Sequence, residues 1–433
     1  MRDLIKQKII DSISRPLPHF TRRDVRLPGI SGKATAVIGM RRTGKTTFLW
    51  QVISDRVKQG VSREGLVFFG FEDERLAGMT AKDLQIVIEE YYRLYPEWRD
   101  QRKAAFFFDE IQGIPEWESF ARRLLDTERI ELFISGSSAR LLSREVATSM
   151  RGRAMEALVH PFSFREYLRH RNEEPDIFVD RLPKAARSAL EKELLEFLAG
   201  GGFPEAQGAD IRDRQDLLRG YVDTVLFRDV VERHSVKHVA ALRWMVRHLL
   251  GNAGGSFSVT RFYRDMKSQG LSVNKDTLYD LLSYLEDAFL IRTLSLHTNS
   301  ERRRMVNPRK VYPIDSGLIP VFGRSGKDET GHALETCIMI ELERRGADIS
   351  YIRTAAGYEV DFFAQFPDKR EVLIQSCADM NDPGVRDREI RALMEAAKEH
   401  PHAERIIVTL HPESAGCVPD GIVVHAAFQW LLS

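Results

Sequence analysis

Eight residues, Gly39-Met40-Arg41-Arg42-Thr43-Gly44-Lys45-Thr46, restrict the folds open to this chain more than any other feature. A phosphate chain has to be held by several backbone N–H groups at once, which needs glycines with unusual dihedrals and a helix whose positive end faces the anion. Gly39 and Gly44 supply the turn, Lys45 reaches the β- and γ-phosphates as a compact cation, and the Thr46 hydroxyl is expected to ligate Mg²⁺. Arg42, Thr43 and Thr47 complete the expected nucleotide-binding set. The β-type run Ala34-Thr35-Ala36-Val37-Ile38 precedes the loop directly, and Thr47-Phe48-Leu49-Trp50-Gln51-Val52-Ile53 continues it as a helix. Strand, loop and helix in that order are the context the motif requires, so ATP with Mg²⁺ is the expected ligand.

A second feature converts binding into chemistry. Phe106-Phe107-Phe108-Asp109-Glu110 is a buried strand ending in two carboxylates: Asp109 is expected to hold the magnesium shell and Glu110 to polarise an attacking water. Further apolar runs, Leu66-Val67-Phe68-Phe69 and Glu131-Leu132-Phe133-Ile134, alternate with helical stretches. Continuous apolar strands between helices predict an α/β fold, a parallel sheet covered on both faces.

At 433 residues the chain exceeds one ordinary hydrophobic core. Hydrophobic content of 43% with 29% charged residues is the balance of a soluble globular protein. Neither an apolar signal core nor a membrane-length apolar stretch occurs, and Cys337, Cys377 and Cys417 lack metal-ligand spacing, so a cytoplasmic protein with reduced thiols and no membrane partner is expected. The pattern divides into a P-loop ATPase domain at 1–160, a helical lid at 161–236, a winged helix at 237–316 and a second α/β domain at 317–433. The winged helix is read from three helices followed by a β-type hairpin, with Leu278, Leu281, Leu282 and Leu285 on one face of the third helix.

Net charge is only +1, but its distribution is uneven: residues 237–312 carry 13 Lys and Arg against 6 Asp and Glu. Arg302, Arg303 and Arg304 fall in the expected wing, with Arg309 and Lys310 on the returning strand and Lys275 on the third helix. That chemistry suits phosphate contacts, so sequence-independent DNA binding is expected.

Taken in order, Val37 to Thr46, Phe108-Asp109-Glu110-Ile111-Gln112, Ser135-Gly136-Ser137-Ser138, Gly152-Arg153, Pro161 to Tyr167, Gly201-Gly202-Phe203-Pro204-Glu205 and Gly357 to Phe362 are spread along most of the chain. The chain resembles in these stretches a prokaryotic family of AAA-like ATPases whose C-terminal domain is related to the PD-(D/E)XK nucleases. The resemblance implies a sensor hydroxyl at Ser137, an arginine finger at Arg153 or Arg151 acting in a neighbouring subunit, and therefore a homo-oligomer, with a hexameric ring among the expected forms. In the C-terminal domain it implies metal ligands at Glu335, Asp361 and Gln375. The superfamily's Glu-X-Lys, however, reads Gln375-Ser376-Cys377, so a degenerate site without efficient nuclease activity is expected. At fold level the architecture is similar to the bacterial motor that migrates Holliday junctions and to origin-loading initiators. The expected function is ATP-driven remodelling of, or translocation on, DNA, branched DNA such as Holliday junctions included, in recombination, repair or mobile-element control. The alternative is a switch-type signalling ATPase whose ATP-dependent assembly serves defence or regulation.

Overall fold

The computed structural model describes residues 1–136, 150, 152–175, 182–306, 308–323 and 329–433. They form two compact units, residues 1–160 with 287–289 and residues 161–286 with 290–433. Among the described residues no helix is long and apolar enough to cross a membrane.

In the first unit, β1 (Ala34–Ile38), β2 (Leu66–Gly70), β3 (Ala104–Asp109), β4 (Ile130–Gly136) and β5 (Ala154–Leu158) make one sheet in the order β2-β3-β4-β1-β5. All the pairings are parallel. Parallel neighbours need crossovers, and the crossover helices cover the sheet, which is why β1 and β3 are buried along their whole length. The helix Lys45–Lys58 contributes Phe48, Leu49 and Ile53 to a core shared with Val37, Phe107 and Phe133. Phe107 and Phe133 stack across β3 and β4 with ring centroids 4.7 Å apart. The strand order has a consequence for the site. β4 lies between the strand that enters the phosphate loop and the strand that ends in Asp109, so its C-terminal end sits between the two.

The second unit opens with the helix Phe164–His170, started by a capping box between Ser163 and Glu166. The helices Lys184–Gly200 and Ile211–Thr224 follow, and between them Gly201 takes φ +74°, where an added Cβ would lie 1.8 Å from Asp315 Oδ1. Helices Val239–Leu250, Val259–Ser268 and Lys275–Asp287 then accompany β6 (Ser256–Phe257), β7 (Ile291–Leu294) and β8 (Arg309–Pro313), an antiparallel sheet in the order β6-β8-β7. Leu278, Leu281, Leu282 and Leu285 are buried, as the helical spacing predicts. The connection between β7 and β8 differs from expectation. Arg302, Arg303 and Arg304 lie on a short helix, Glu301–Val306, not on a β-type wing. Helix-favouring Glu and Arg and the Ser300 side chain, which accepts from Arg303 N at 3.3 Å, supply the reason.

The C-terminal sheet contains β9 (Asp348–Arg353), β10 (Glu359–Gln365), β11 (Glu371–Ser376), β12 (Glu404–Thr409) and β13 (Ile422–Ala426) in the order β13-β12-β11-β10-β9. β9, β10 and β11 pair antiparallel, and β11, β12 and β13 parallel. The helices Thr330–Arg344 and Pro383–Glu399 pack on it. β10 is irregular between Val360 and Phe363, a shift that re-aims the intervening Asp361.

Candidate functional site: the phosphate loop and the C-terminal acidic cluster

The loop between β1 and the helix Lys45–Lys58 is shaped by backbone conformations that only a few residue types accept. Gly39 has φ +143°, and a Cβ there would sit 2.2 Å from the Val159 carbonyl oxygen. Gly44, at φ +94°, is the helix N-cap, and Arg42 takes a left-handed φ of +67°. Thr43 is buried and donates to the Met40 carbonyl at 2.9 Å. Lys45 is buried too, and its Nζ donates to the same carbonyl at 2.9 Å. Arg42, Thr46 and Thr47 are exposed at the helix start. Arg23, which sequence reasoning missed, braces the loop from below. Its guanidinium donates to the Thr43 carbonyl at 2.8 Å and to the His160 carbonyl at 2.5 Å.

Thr46 and Asp109, 63 residues apart, meet directly: Thr46 Oγ1 donates to Asp109 Oδ2 at 2.8 Å. Both are hard oxygen donors of the kind Mg²⁺ takes. Ser135, fully buried at the end of β4, donates its hydroxyl to Asp109 Oδ1 and accepts from the Glu110 backbone N–H at 3.1 Å. Burial pushes the Asp109 carboxyl above the usual carboxylate range, opposed by the hydrogen bonds from Ser135 and Thr46. Glu110 holds φ +55°, a conformation uncommon outside glycine, and its carboxylate accepts from the Gln112 side-chain amide. Among the described residues, therefore, Ser135 is the hydroxyl at the end of β4 that meets the acidic pair. Ser137 lies outside the described residues, as does Arg151.

Arg153 stands at the other end of the sheet. Its carbonyl accepts from Ala34 N at the start of β1, whereas the phosphate loop follows the end of β1. Five residues of strand separate them, about 16 Å at the usual rise. The Arg153 guanidinium pairs with Asp126.

The expected DNA-contacting residues divide. Arg302, Arg303 and Arg304 are exposed on their helix, with Arg304 paired to Glu301 at 3.1 Å. Lys275 is half-buried over the Tyr279 ring, and Arg309 pairs with Glu286 at 3.6 Å. Lys310 contradicts its expectation. Its side chain is 5% exposed and its Nζ contacts Asp361 at 2.9 Å, Glu359 at 3.0 Å and Glu335 at 3.3 Å, so it cannot reach a nucleic-acid phosphate. Pleat direction explains this, since Lys310 points into the unit while the preceding Arg309 points out.

Glu335, Asp361 and Gln375 do converge, from the helix Thr330–Arg344, β10 and β11. Glu335 accepts from the Tyr312 hydroxyl at 2.8 Å, and Asp361 Oδ2 accepts from the Ser376 backbone N–H at 3.0 Å. Burial and the neighbouring Asp361 push the Glu335 carboxyl upward, opposed by Lys310 and the Tyr312 hydroxyl. Cys377, expected from the resemblance at the position of a lysine, is buried, and burial pushes its thiol up to about 11.

Residues 31–168 match the family described as AAA domain, and residues 191–328 match Domain of unknown function (DUF8612). Uncharacterized protein MJ1544 of Methanocaldococcus jannaschii is 32% identical over 382 residues, covering 87% of this chain and 81% of that protein. An uncharacterized protein of Haemophilus influenzae is 28% identical over 335 residues, covering 77% and 80%. Among solved structures, the Walker-type ATPase PABY2304 of Pyrococcus abyssi aligns with a TM-score of 0.42 and 17% identity, covering 74% of this chain and 95% of that one.

Proposed function

This chain belongs to one family with MJ1544 and carries an AAA domain, and from that premise we propose that it is an ATP-hydrolysing protein that works on DNA. The observation that carries the hydrolytic reading is the contact of Thr46 with Asp109 at 2.8 Å, with Ser135 bridging Asp109 and the Glu110 backbone. In this reading Lys45 and the loop N–H groups bind the phosphates, and Thr46 and Asp109 would hold Mg²⁺, which would neutralise phosphate charge. Glu110 orients the water. Arg153, remote from its own loop, acts in the pocket of a second copy, so the working form is a homo-oligomer, with a ring the arrangement that closes such head-to-tail contacts.

The DNA reading rests on the three exposed arginines of the helix Glu301–Val306 beside the α-β-α-α-β-β segment, which we read as a winged helix. They suit phosphate contacts without base reading, so duplex and branched DNA are both candidate substrates. Turnover measured with and without linear duplex, single-stranded and four-way DNA tests it. Stimulation by DNA that disappears when Arg302, Arg303 and Arg304 are replaced supports the reading. Turnover indifferent to every DNA, together with ATP-dependent assembly, would favour a signalling switch.

A further inference from the structure

A nuclease-like C-terminal domain implies a divalent metal among Glu335, Asp361 and Gln375, but the residues present do not fit one. A divalent ion such as Mg²⁺ draws its oxygens to about 2.1 Å and needs several of them turned toward one point. Here the oxygens are committed elsewhere. Asp361 accepts from Lys310 on Oδ1 and from the Ser376 N–H on Oδ2. Gln375 Oε1 accepts from the Asp361 N–H at 3.1 Å, while its Nε2 donates to the Glu359 carbonyl and to Glu389. Glu335 takes Tyr312 and Lys310 on Oε1, and a Cβ on Gly254 would sit 2.7 Å from its Oε2, so the backbone closes over the other oxygen. Among the described residues no group of three acidic, His or Cys side chains is arranged to hold a metal.

What does stand among the carboxylates of Glu335, Glu359 and Asp361 is an ammonium. Lys310 reaches in from β8, 25 residues before Glu335 and 51 before Asp361, and its Nζ contacts one oxygen of each carboxylate at 2.9–3.3 Å. Two of its donors hydrogen-bond to Glu335 and Asp361, and Glu359 completes the ring of negative charge at ion-pair distance, so the ammonium is surrounded by its counter-charges. We propose that Lys310 is the resident cation of this cluster, taking the place a divalent metal would occupy, so that the C-terminal domain is a metal-free ion lock. The lock ties β8, and with it the sheet adjoining the arginine helix, to the Glu335 helix and to β10. A metal ion and the ammonium cannot share the pocket, since two cations at that spacing repel strongly where water is scarce. The lysine that the motif lacks at Cys377 is thus present in space, but as a counter-ion.

The test uses the full chain without nucleotide, titrated with Mn²⁺ and followed by the loss of the free-ion paramagnetic resonance signal. The expected result is that wild type and Asp361→Asn take up Mn²⁺ alike. Lys310→Ala should melt several degrees lower, gain one Mn²⁺ site, recover melting temperature with the ion, and lose that gain when Asp361→Asn is added. Uptake by wild type that Asp361→Asn abolishes would overturn the proposal, because the metal would then displace the lysine. So would a folded Lys310→Ala that gains no site. Should Lys310→Ala fail to fold, the comparison of wild type with Asp361→Asn still decides.

Discussion

Replacing Ser135 by Ala isolates the contact that joins the acidic pair. The hydroxyl is fully buried, donates to Asp109 Oδ1 and accepts from the Glu110 N–H at 3.1 Å. Alanine removes both bonds and leaves a buried carboxylate short of one donor, with an unpaired N–H on a residue already held at φ +55°. An unsatisfied buried polar group costs about 1–3 kcal/mol, so the pair together should cost about 2–3 kcal/mol once local relaxation is allowed. In a unit of this size each kcal/mol lowers the melting temperature by about 2–4 °C, which predicts a drop of roughly 4–12 °C. Turnover should fall further than nucleotide affinity does, by about 10–100-fold, as when a partner that orients a metal ligand is removed. Circular dichroism melting and phosphate release read the two effects separately. A variant that melts within about a degree of wild type and hydrolyses ATP normally would refute the role given to Ser135.

Arg153→Ala should lose turnover while binding ATP normally, and mixing it with Lys45→Ala should restore part of the activity; a mixture as inactive as its parts removes the trans role. Substituting Arg302, Arg303 and Arg304 by Ala should weaken DNA binding evenly across sequences and reduce the salt slope by about 0.9 for each phosphate no longer neutralised, which a binding titration over several salt concentrations measures. Asp315 is buried, and burial raises its carboxyl from 3.8 to about 6 against hydrogen bonds from the Gly202 and Gly317 N–H groups. Because the folded state holds this proton more tightly, the associated stability is complete below 3.8 and is lost as pH rises through about 6. Asp315→Asn should flatten that decline in denaturant titrations and should itself cost about 1–3 kcal/mol, since the amide turns a donor toward one of the two N–H groups.

The parts that were legible in the sequence are those whose signal is local. β1 to β4 announce themselves because a strand covered on both faces must be apolar throughout, and the phosphate loop because Gly39 and Gly44 are required by its own backbone. β5 carries no such signal: Ala154-Met155-Glu156-Ala157-Leu158 holds no β-branched residue and exposes Glu156 at the sheet edge. The arginine helix escapes a hairpin expectation because the helix preference of Glu301 to Arg304 prevails over it. Lys310 and Arg23 were out of reach for a different reason. Nothing beside Lys310 foretells carboxylates arriving from positions 335, 359 and 361, and nothing beside Arg23 foretells the carbonyls of Thr43 and His160. Ser135 could have been found, since a hydroxyl ending the strand between the loop strand and the Asp109 strand has the acidic pair within reach, but the family resemblance points to Ser137, two positions further along.

The most direct test of the central claim measures ATP turnover and nucleotide affinity side by side for wild type, Lys45→Ala and Glu110→Gln. On the proposed reading, removing the Lys45 ammonium takes away the cation for the phosphates, whereas Glu110→Gln spares Thr46, Asp109 and the loop and removes only the carboxylate assigned to the water. Wild type should hydrolyse ATP, Lys45→Ala should fail to bind it, and Glu110→Gln should bind it with wild-type affinity and release no phosphate. Wild-type turnover in Glu110→Gln, or undiminished binding in Lys45→Ala, would contradict the assignment of this loop and its acidic pair as an ATP-hydrolysing site.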